Sequence, residues 1–288
     1  MKLWICIPVH NRLPFTLCCL KSLRHQTWSN FKIILCDDGS TDGTSEVIAG
    51  QYPEVVLLRG DGDLWWTGAI NKCIEYVLQN AETQDYILTL NNDTELPNDY
   101  LEHLVTYSKK YSKAIITSVV KDIKKNTVVP VGYRQSWWLA TAKPVSFEKD
   151  HIQGDVNVVE VTHASGRGTL FPVAAFLELG LFDEAHLPHY GADYDFSHKA
   201  RRNGFPIYVC RECIVLSHIK ETGLTKIRKD FSLRSFVAYL TGMRSPANIK
   251  VRWWYGWNNC PKILLPLYLV IDYTRVIGSY FKYFAGNK

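Results

Sequence analysis

The sequence lacks the two glycine-rich cradles that most often hold phosphate. No GxGxxG follows its first apolar run and no GxxxxGK[ST] occurs in its 288 residues, which counts against a dinucleotide-dependent dehydrogenase and a P-loop nucleotidase. No apolar run reaches the ~20 residues that cross a bilayer, and Ile263–Ile271 stops at Asp272. No charged-then-apolar leader opens the chain, because Met1–Val9 reads as a short strand, so a cytoplasmic protein is expected. Cys210 and Cys213 form a CxxC without a second pair, which argues against zinc; the eight scattered cysteines read as reduced thiols. Internal repeats and low-complexity stretches are absent.

What is present is ordinary globular composition, 47% apolar and 21% charged. The net charge of +5 is unevenly spread: residues 220–288 carry 12 Lys/Arg against 3 Asp/Glu, leaving 21 against 25 in residues 1–219. A basic tail on a slightly acidic body suits an anionic partner surface.

Apolar runs at Leu3–Ile7, Phe31–Cys36, Val55–Leu58, Tyr86–Leu90 and Ala114–Val120 read as strands. Between them, Leu13–His25, Thr67–Ala81 and Pro97–Lys110 read as helices; Ile70, Cys73, Ile74, Val77 and Leu78 make a helical stripe. This alternation predicts a doubly wound, mostly parallel α/β sheet. Residues 121–160 read as an irregular excursion, followed by helices near Pro172–Leu179 and Ala192–Asn203 and a strand at Ile207–Leu216.

In such sheets ligands bind beyond the carboxyl ends of the strands. Four successive loops put polar residues there: His10-Asn11-Arg12, Asp37-Asp38-Gly39-Ser40, Asp61-Gly62-Asp63 and Asn91-Asn92-Asp93. A nucleotide site without a glycine cradle usually neutralises its diphosphate with a metal, and a carboxylate ending an apolar strand suits Mg²⁺ or Mn²⁺. The alternative for Asn91–Thr94 is an Asx turn capping the helix near Pro97.

Taken in order, Ile7-Pro8-Val9-His10-Asn11-Arg12, Cys36–Thr44, Leu90-Asn91-Asn92-Asp93-Thr94 and His189-Tyr190-Gly191-Ala192-Asp193-Tyr194-Asp195 resemble the family 2 glycosyltransferases of the GT-A fold. The resemblance spans residues 1 to about 220 and implies a Rossmann-like catalytic domain over 1–220, with a nucleotide-sugar half (1–120) and an acceptor half (121–220). It implies an inverting, metal-dependent enzyme that moves a sugar from a nucleotide-diphosphate donor to a saccharide or lipid-linked saccharide acceptor. Asn91-Asn92-Asp93 resembles the family's DxD-type motif with its first Asp replaced, which leaves Asp93 as the metal ligand and Asn91 facing the nucleotide. Asp38 is placed near the base, with Pro8 and Asn11 in the loop framing it. Asp63 is placed against the base, and Trp65 or Trp66 in the donor pocket; two aromatics packed beneath a loop are the alternative. Arg167 becomes a phosphate partner and His218 a ligand of metal or diphosphate, while His186 and His189 flank the acceptor side. Ala192-Asp193 stands where the family often has Glu-Asp, so Asp193, rather than Asp195, is implied to be the catalytic base.

The resemblance extends to bacterial surface-polysaccharide (O-antigen or capsule) transferases, some of which use dTDP-rhamnose. Two rival readings are a sugar nucleotidyltransferase, which usually opens with a Gly- and Arg-rich loop missing here, and an inactive nucleotide-sugar or glycan-binding protein. Residues 221–288 are basic and rich in Trp and Tyr, which predicts a C-terminal helical segment lying on an anionic membrane at the cytoplasmic face of the inner membrane. An oligomer interface is its alternative, and nucleic acid is not expected as a partner because the catalytic half shows no matching basic face.

Overall fold

The computed structural model describes residues 1–147, 155–219 and 231–285. The first half runs β1 (Leu3–Val9), α1 (Leu13–Arg24), β2 (Phe31–Asp37), α2 (Thr44–Gln51), β3 (Val56–Arg59), α3 (Trp65–Leu78), β4 (Tyr86–Thr89), β5 (Thr94–Glu95), α4 (Tyr100–Lys110) and β6 (Ile115–Asp122). All seven residues of β1 are buried, as expected of a strand covered by helices on both faces. Helix α1 starts at a proline-containing first turn, where the missing N–H costs nothing.

The second half continues with β7 (Val128–Val129), β8 (Gly132–Ser136), β9 (Thr141–Pro144), β10 (Val158–Glu160), β11 (His163–Ala164), β12 (Thr169–Pro172), α5 (Val173–Leu179), α6 (Ala192–Arg202) and β13 (Ile207–Ser217). Three helices follow: α7 (Leu233–Thr241), α8 (Ile249–Asn259) and α9 (Leu265–Ala285). Ser232 and Asn248 cap α7 and α8, each accepting from backbone N–H groups of the first turn.

The main sheet has the order β10-β13-β6-β12-β4-β1-β2-β3. Strands β3, β2, β1 and β4 are parallel; β12 is antiparallel to both β4 and β6, and β13 runs parallel to β6. The result is a mixed α/β fold with a mostly parallel centre, as the alternating pattern predicts.

The expected irregular excursion is instead a small antiparallel sheet, β11-β8-β9, with β7 added to the edge of β6; residues 148–154 of that stretch lie outside the described residues. Gly132 explains why its strand signal is weak. A Cβ there would overlap Val209 and crowd Val161, so the strand takes a residue of low β propensity to pack against the main sheet.

One core cluster runs from Leu3 to Val251 and so includes a residue of α8. Two smaller clusters join α9 to its neighbours, through Ala140, Cys260, Leu265, Tyr268 and Leu269, and through Tyr239, Ala247, Val276 and Tyr280. All eight cysteines are unbridged. Among the described residues no helix is long and apolar enough to cross a membrane.

Candidate active site

The loops after β1, β2 and β3 are stitched together at the carboxyl edge of the sheet. Asn11 donates its backbone N–H to Ser40 Oγ (2.7 Å) and accepts from the Thr41 N–H at Oδ1 (3.0 Å). Asn11 and Arg12 both hold left-handed φ values, 59° and 66°, which turns the chain sharply between β1 and α1. Pro8 is buried in β1 beside Cys36.

Asp38, expected beside the base, is buried with both oxygens engaged: Oδ1 accepts the Gly62 N–H (2.8 Å) and Oδ2 the Trp65 N–H (3.1 Å). The carboxylate therefore fixes the third loop, and a Cβ on Gly60 would collide with it. Asp37 is likewise consumed, accepting from the Ser40 N–H and the Ser45 hydroxyl. Asp63 is exposed at the rim of the same loop.

That loop delivers two tryptophans. Trp65 takes φ 57°, a strained value for a bulky side chain, and its ring meets His189 edge-on with centroids 5.6 Å apart. Trp66 donates its indole N–H to Asn91 Oδ1 (3.1 Å). Gly166 lies against the Trp66 ring, where a Cβ would come within 2.8 Å of two ring carbons. The Gly166 N–H in turn donates to Asp193 Oδ2 (2.7 Å). Asn91, Trp66, Gly166 and Asp193 thus form one continuous wall joining the end of β4 to the start of α6.

Asp193 sits in the first turn of α6, with Oδ1 accepting the Tyr194 N–H (2.9 Å). Burial raises its carboxyl above the ordinary range, against the lowering effect of those two backbone N–H groups and of Arg167. Each oxygen keeps a lone pair for a further proton. Asp195 points elsewhere: it is buried and accepts from Asn259 Nδ2 (2.6 Å) of α8.

Asp93 is buried beyond β4, and its backbone carbonyl accepts the His218 N–H (3.1 Å). Oδ2 pairs with the Arg12 guanidinium at 3.4 Å, whereas Oδ1 is buried and has no hydrogen-bond partner among the described residues. A buried carboxylate oxygen left unpaired is costly unless something charged meets it. Asn92 is not its partner; its amide donates to Thr16 inside the fold (2.9 Å). The His218 ring faces Glu95 (Nε2 to Oε1, 3.0 Å) and Phe15. Among the described residues no group of three His, Cys, Asp or Glu is placed to hold a metal. One hard oxygen still fits Mg²⁺ or Mn²⁺, which characteristically take one or two carboxylates and complete their shell with substrate phosphates and water.

Three residues to which the motifs assign no individual role belong to this edge. Arg12 pairs with Asp93, and Tyr190 packs edge-on against His189 (4.5 Å). Arg244, in the turn between α7 and α8, lies 5.7 Å from the centre of the Trp65 ring. Burial and the charges of Arg244 and Arg12 push His189 down to about 4, so it is neutral at pH 7, and its buried Nδ1 has no partner among the described residues. Arg12, Arg167 and Arg244 all bear on the Tyr190 hydroxyl. Only the fold brings Arg244 here, since it is distant in sequence from every other member. His186 lies further out, its ring tilted against Trp254 (centroids 3.8 Å apart) and bonded to Asp183.

A buried strand-end carboxylate, a helix-start carboxylate and several guanidiniums thus lie on one edge of the open α/β sheet. The sequence matches the family model for "Glycosyl transferase family 2" over residues 4–171, and the chain belongs to that family. A Rickettsia typhi protein described as an uncharacterized glycosyltransferase is 26% identical over 228 residues, covering 77% of this chain and 65% of that protein, so the chain spans somewhat under two thirds of that relative's length. An N-acetylglucosaminyl-diphospho-decaprenol L-rhamnosyltransferase of Mycobacterium tuberculosis is 22% identical over 219 residues, covering 69% of this chain and 70% of that one. Among solved structures, S. aureus TarS 1–349 in complex with UDP-GlcNAc superposes with a TM-score of 0.60 at 14% identity, over 98% of this chain and 92% of that one. GalNAc-T7 with UDP, GalNAc and Mn²⁺ gives 0.60 at 18% identity, over 75% and 43%. These likenesses establish the GT-A fold.

Proposed function

We propose that the chain is an inverting, metal-dependent glycosyltransferase that moves a sugar from a UDP- or dTDP-linked donor to a hydroxyl of a saccharide or lipid-linked saccharide, in the assembly of bacterial surface polysaccharide. The observation that carries this reading is the unpartnered buried Oδ1 of Asp93, on the same sheet edge as the Asp193 carboxylate and joined to it through Asn91, Trp66 and Gly166. Family membership supports it, as do the UDP-GlcNAc named for TarS, the UDP, GalNAc and Mn²⁺ named for GalNAc-T7 and the rhamnosyl transfer named for the mycobacterial relative.

Asp193 takes the acceptor proton as the hydroxyl oxygen attacks the anomeric carbon. The carbon–oxygen bond to the diphosphate breaks from the opposite face, and the electron pair leaves with the nucleoside diphosphate. Asp93, with His218 as the neighbouring candidate, would hold Mg²⁺ or Mn²⁺, which would supply charge neutralisation for that leaving group. Arg12, Arg167 and Arg244 add preorganised positive charge on the same side. Pro8, Asn11 and Asp38 shape the nucleotide end, Asp38 by fixing the loop that carries Asp63 and Trp65. A base contributes typically ~10²–10⁴-fold, and positioning and charge supply the rest.

Thermal-shift titration against a panel of UDP- and dTDP-sugars with Mn²⁺ tests the reading. At least one donor should raise the melting temperature in the presence of metal and lose that effect in EDTA. A panel with no metal-dependent shift would contradict it.

A further inference from the structure

Helix α9 is apolar on two opposite sides. Its inner side buries Leu265, Tyr268, Leu269, Val276 and Tyr280. Its outer side exposes Leu267, Val270, Ile277 and Phe281, with Val270 65% exposed; at about 100° per residue these four fall within an arc of roughly 80°. Ile263, which leads into the helix, is 90% exposed. Helix α8 repeats the pattern with Trp253 and Trp257, both exposed, their rings stacked with centroids 6.1 Å apart. The Lys262 ammonium lies 4.0 Å above the Trp257 ring. Arg275 donates to the carbonyls of Leu139 and Ala140 and so anchors the exposed Trp138–Leu139 tip beside α9.

The exposed charge on these helices themselves is of one sign. Residues 231–285 hold seven Lys/Arg and a single acid, Asp272. Asp272 is buried and bonded through both oxygens to Arg252, at 2.6 and 2.8 Å. No exposed carboxylate therefore stands on α7, α8 or α9. A second copy of the chain meeting this face across a two-fold axis would bring like charges together. An anionic bilayer meets both requirements, because its phosphates attract the cations and its acyl boundary accepts the apolar stripe.

We propose that the outer face of α9, with the Trp253–Trp257 edge of α8, docks in the plane of an anionic membrane. The helix lies on the bilayer with its other side still packed on the protein, so it does not cross. The indoles and Lys262 sit at headgroup level, and Leu267, Val270, Ile277 and Phe281 reach the acyl boundary. This inference does not depend on the sugar donor, the metal or the catalytic base.

The test is flotation of the full chain with phosphatidylcholine vesicles that contain about a quarter phosphatidylglycerol, whose negative surface attracts basic residues. The Val270→Glu/Ile277→Glu double variant and a control, Leu177→Glu on the distant α5, are floated alongside, with light scattering on each protein. Wild type and control should float with the anionic vesicles, more weakly as salt rises and not with pure phosphatidylcholine. The double variant should partition at least ~10-fold less, because it puts two charges where the apolar stripe enters the boundary. Failure of wild type to float, or equal flotation of the double variant, overturns the proposal. A wild-type dimer that the double variant splits, with neither protein binding vesicles, overturns it in favour of a second copy.

Discussion

Asp193 and Asp195 lie two residues apart in the first turn of one helix and have opposite environments. Asp193 takes two backbone N–H groups and faces the wall made by Gly166 and Trp66, whereas Asp195 is tied to Asn259 of α8. Asp193→Asn should therefore keep donor and metal affinity while losing transfer by ~10²-fold or more. Asp195→Asn keeps an oxygen for Asn259 and should cost much less. Because burial raises the Asp193 carboxyl, the acid limb of kcat should lie above the ordinary carboxylate range, with activity falling as pH drops through it. Steady-state kinetics with a binding isotherm for each variant separates these outcomes; a dead Asp195→Asn beside a near-normal Asp193→Asn would reverse the assignment.

The β11–α6 contact is where elements rather than single residues decide behaviour. His163 of β11 and His198 of α6 are buried with ring centroids 4.6 Å apart, and His198 meets the Tyr255 hydroxyl of α8 at 2.9 Å. Burial drives both below the ordinary imidazole value, His163 to about 4 and His198 to about 2. Both are neutral in the folded state at pH 5–7, while the unfolded chain takes up protons below about 6.5. Their contribution to stability is thus complete above that value and is lost as pH falls, through about 4 for His163 and about 2 for His198, and the upper part of that window lies above the range in which ordinary carboxylates titrate. Melting temperature should fall steadily from pH 6.5 to about 4.5, by the equivalent of roughly 5 kcal/mol for the two rings together. His198→Phe, which loses only the Tyr255 bond, should flatten that slope in a pH series of thermal melts; an unchanged slope would exclude the pair as its source.

The elements that carry this site were legible to different degrees. Strands β1, β2, β4 and β6 announce themselves because burial on both faces requires continuous apolar runs. The four polar loops follow from that topology. The β8–β9 hairpin stayed hidden because Gly132 replaces a strand-forming side chain where the two sheets touch. Strand β12 is four residues long and stands antiparallel between parallel neighbours, which no local periodicity reveals. Asp37 and Asp38 look alike in sequence; only backbone geometry assigns one to the second loop and its helix and the other to the third loop. Helix α3 begins two residues before its expected start because the Trp65 N–H is held by Asp38.

At the scale of the molecule, the C-terminal helices are built into the catalytic body. Val251 belongs to the main core; Asn259 meets Asp195, Tyr255 meets His198, Asn258 meets Asp183 and Trp254 packs against His186. Arg244 is carried to the Trp65 ring by the same helices. A chain ending at residue 219 would uncover one side of α6 and leave the buried Asp195 without its Asn259 partner. Such a chain should melt well below the full protein, because it loses the apolar cover of Val251, Trp254 and Tyr255 on the main core, and burial of one large apolar side chain contributes about 1.5–3 kcal/mol; it should also lose transfer. A truncated protein with unchanged melting and full activity would show these helices to be an independent appendage.

The measurement that bears most directly on the whole account is release of nucleoside diphosphate from a nucleotide sugar with acceptor omitted, using wild type and Asp93→Asn with Mn²⁺ and again with EDTA. Wild type with metal should release it slowly, the variant and the EDTA sample should not, and circular dichroism should show all proteins folded. Donor left intact by folded wild type in metal would mark a binding protein, and release unaffected by EDTA or by Asp93→Asn would contradict the role given to that carboxylate.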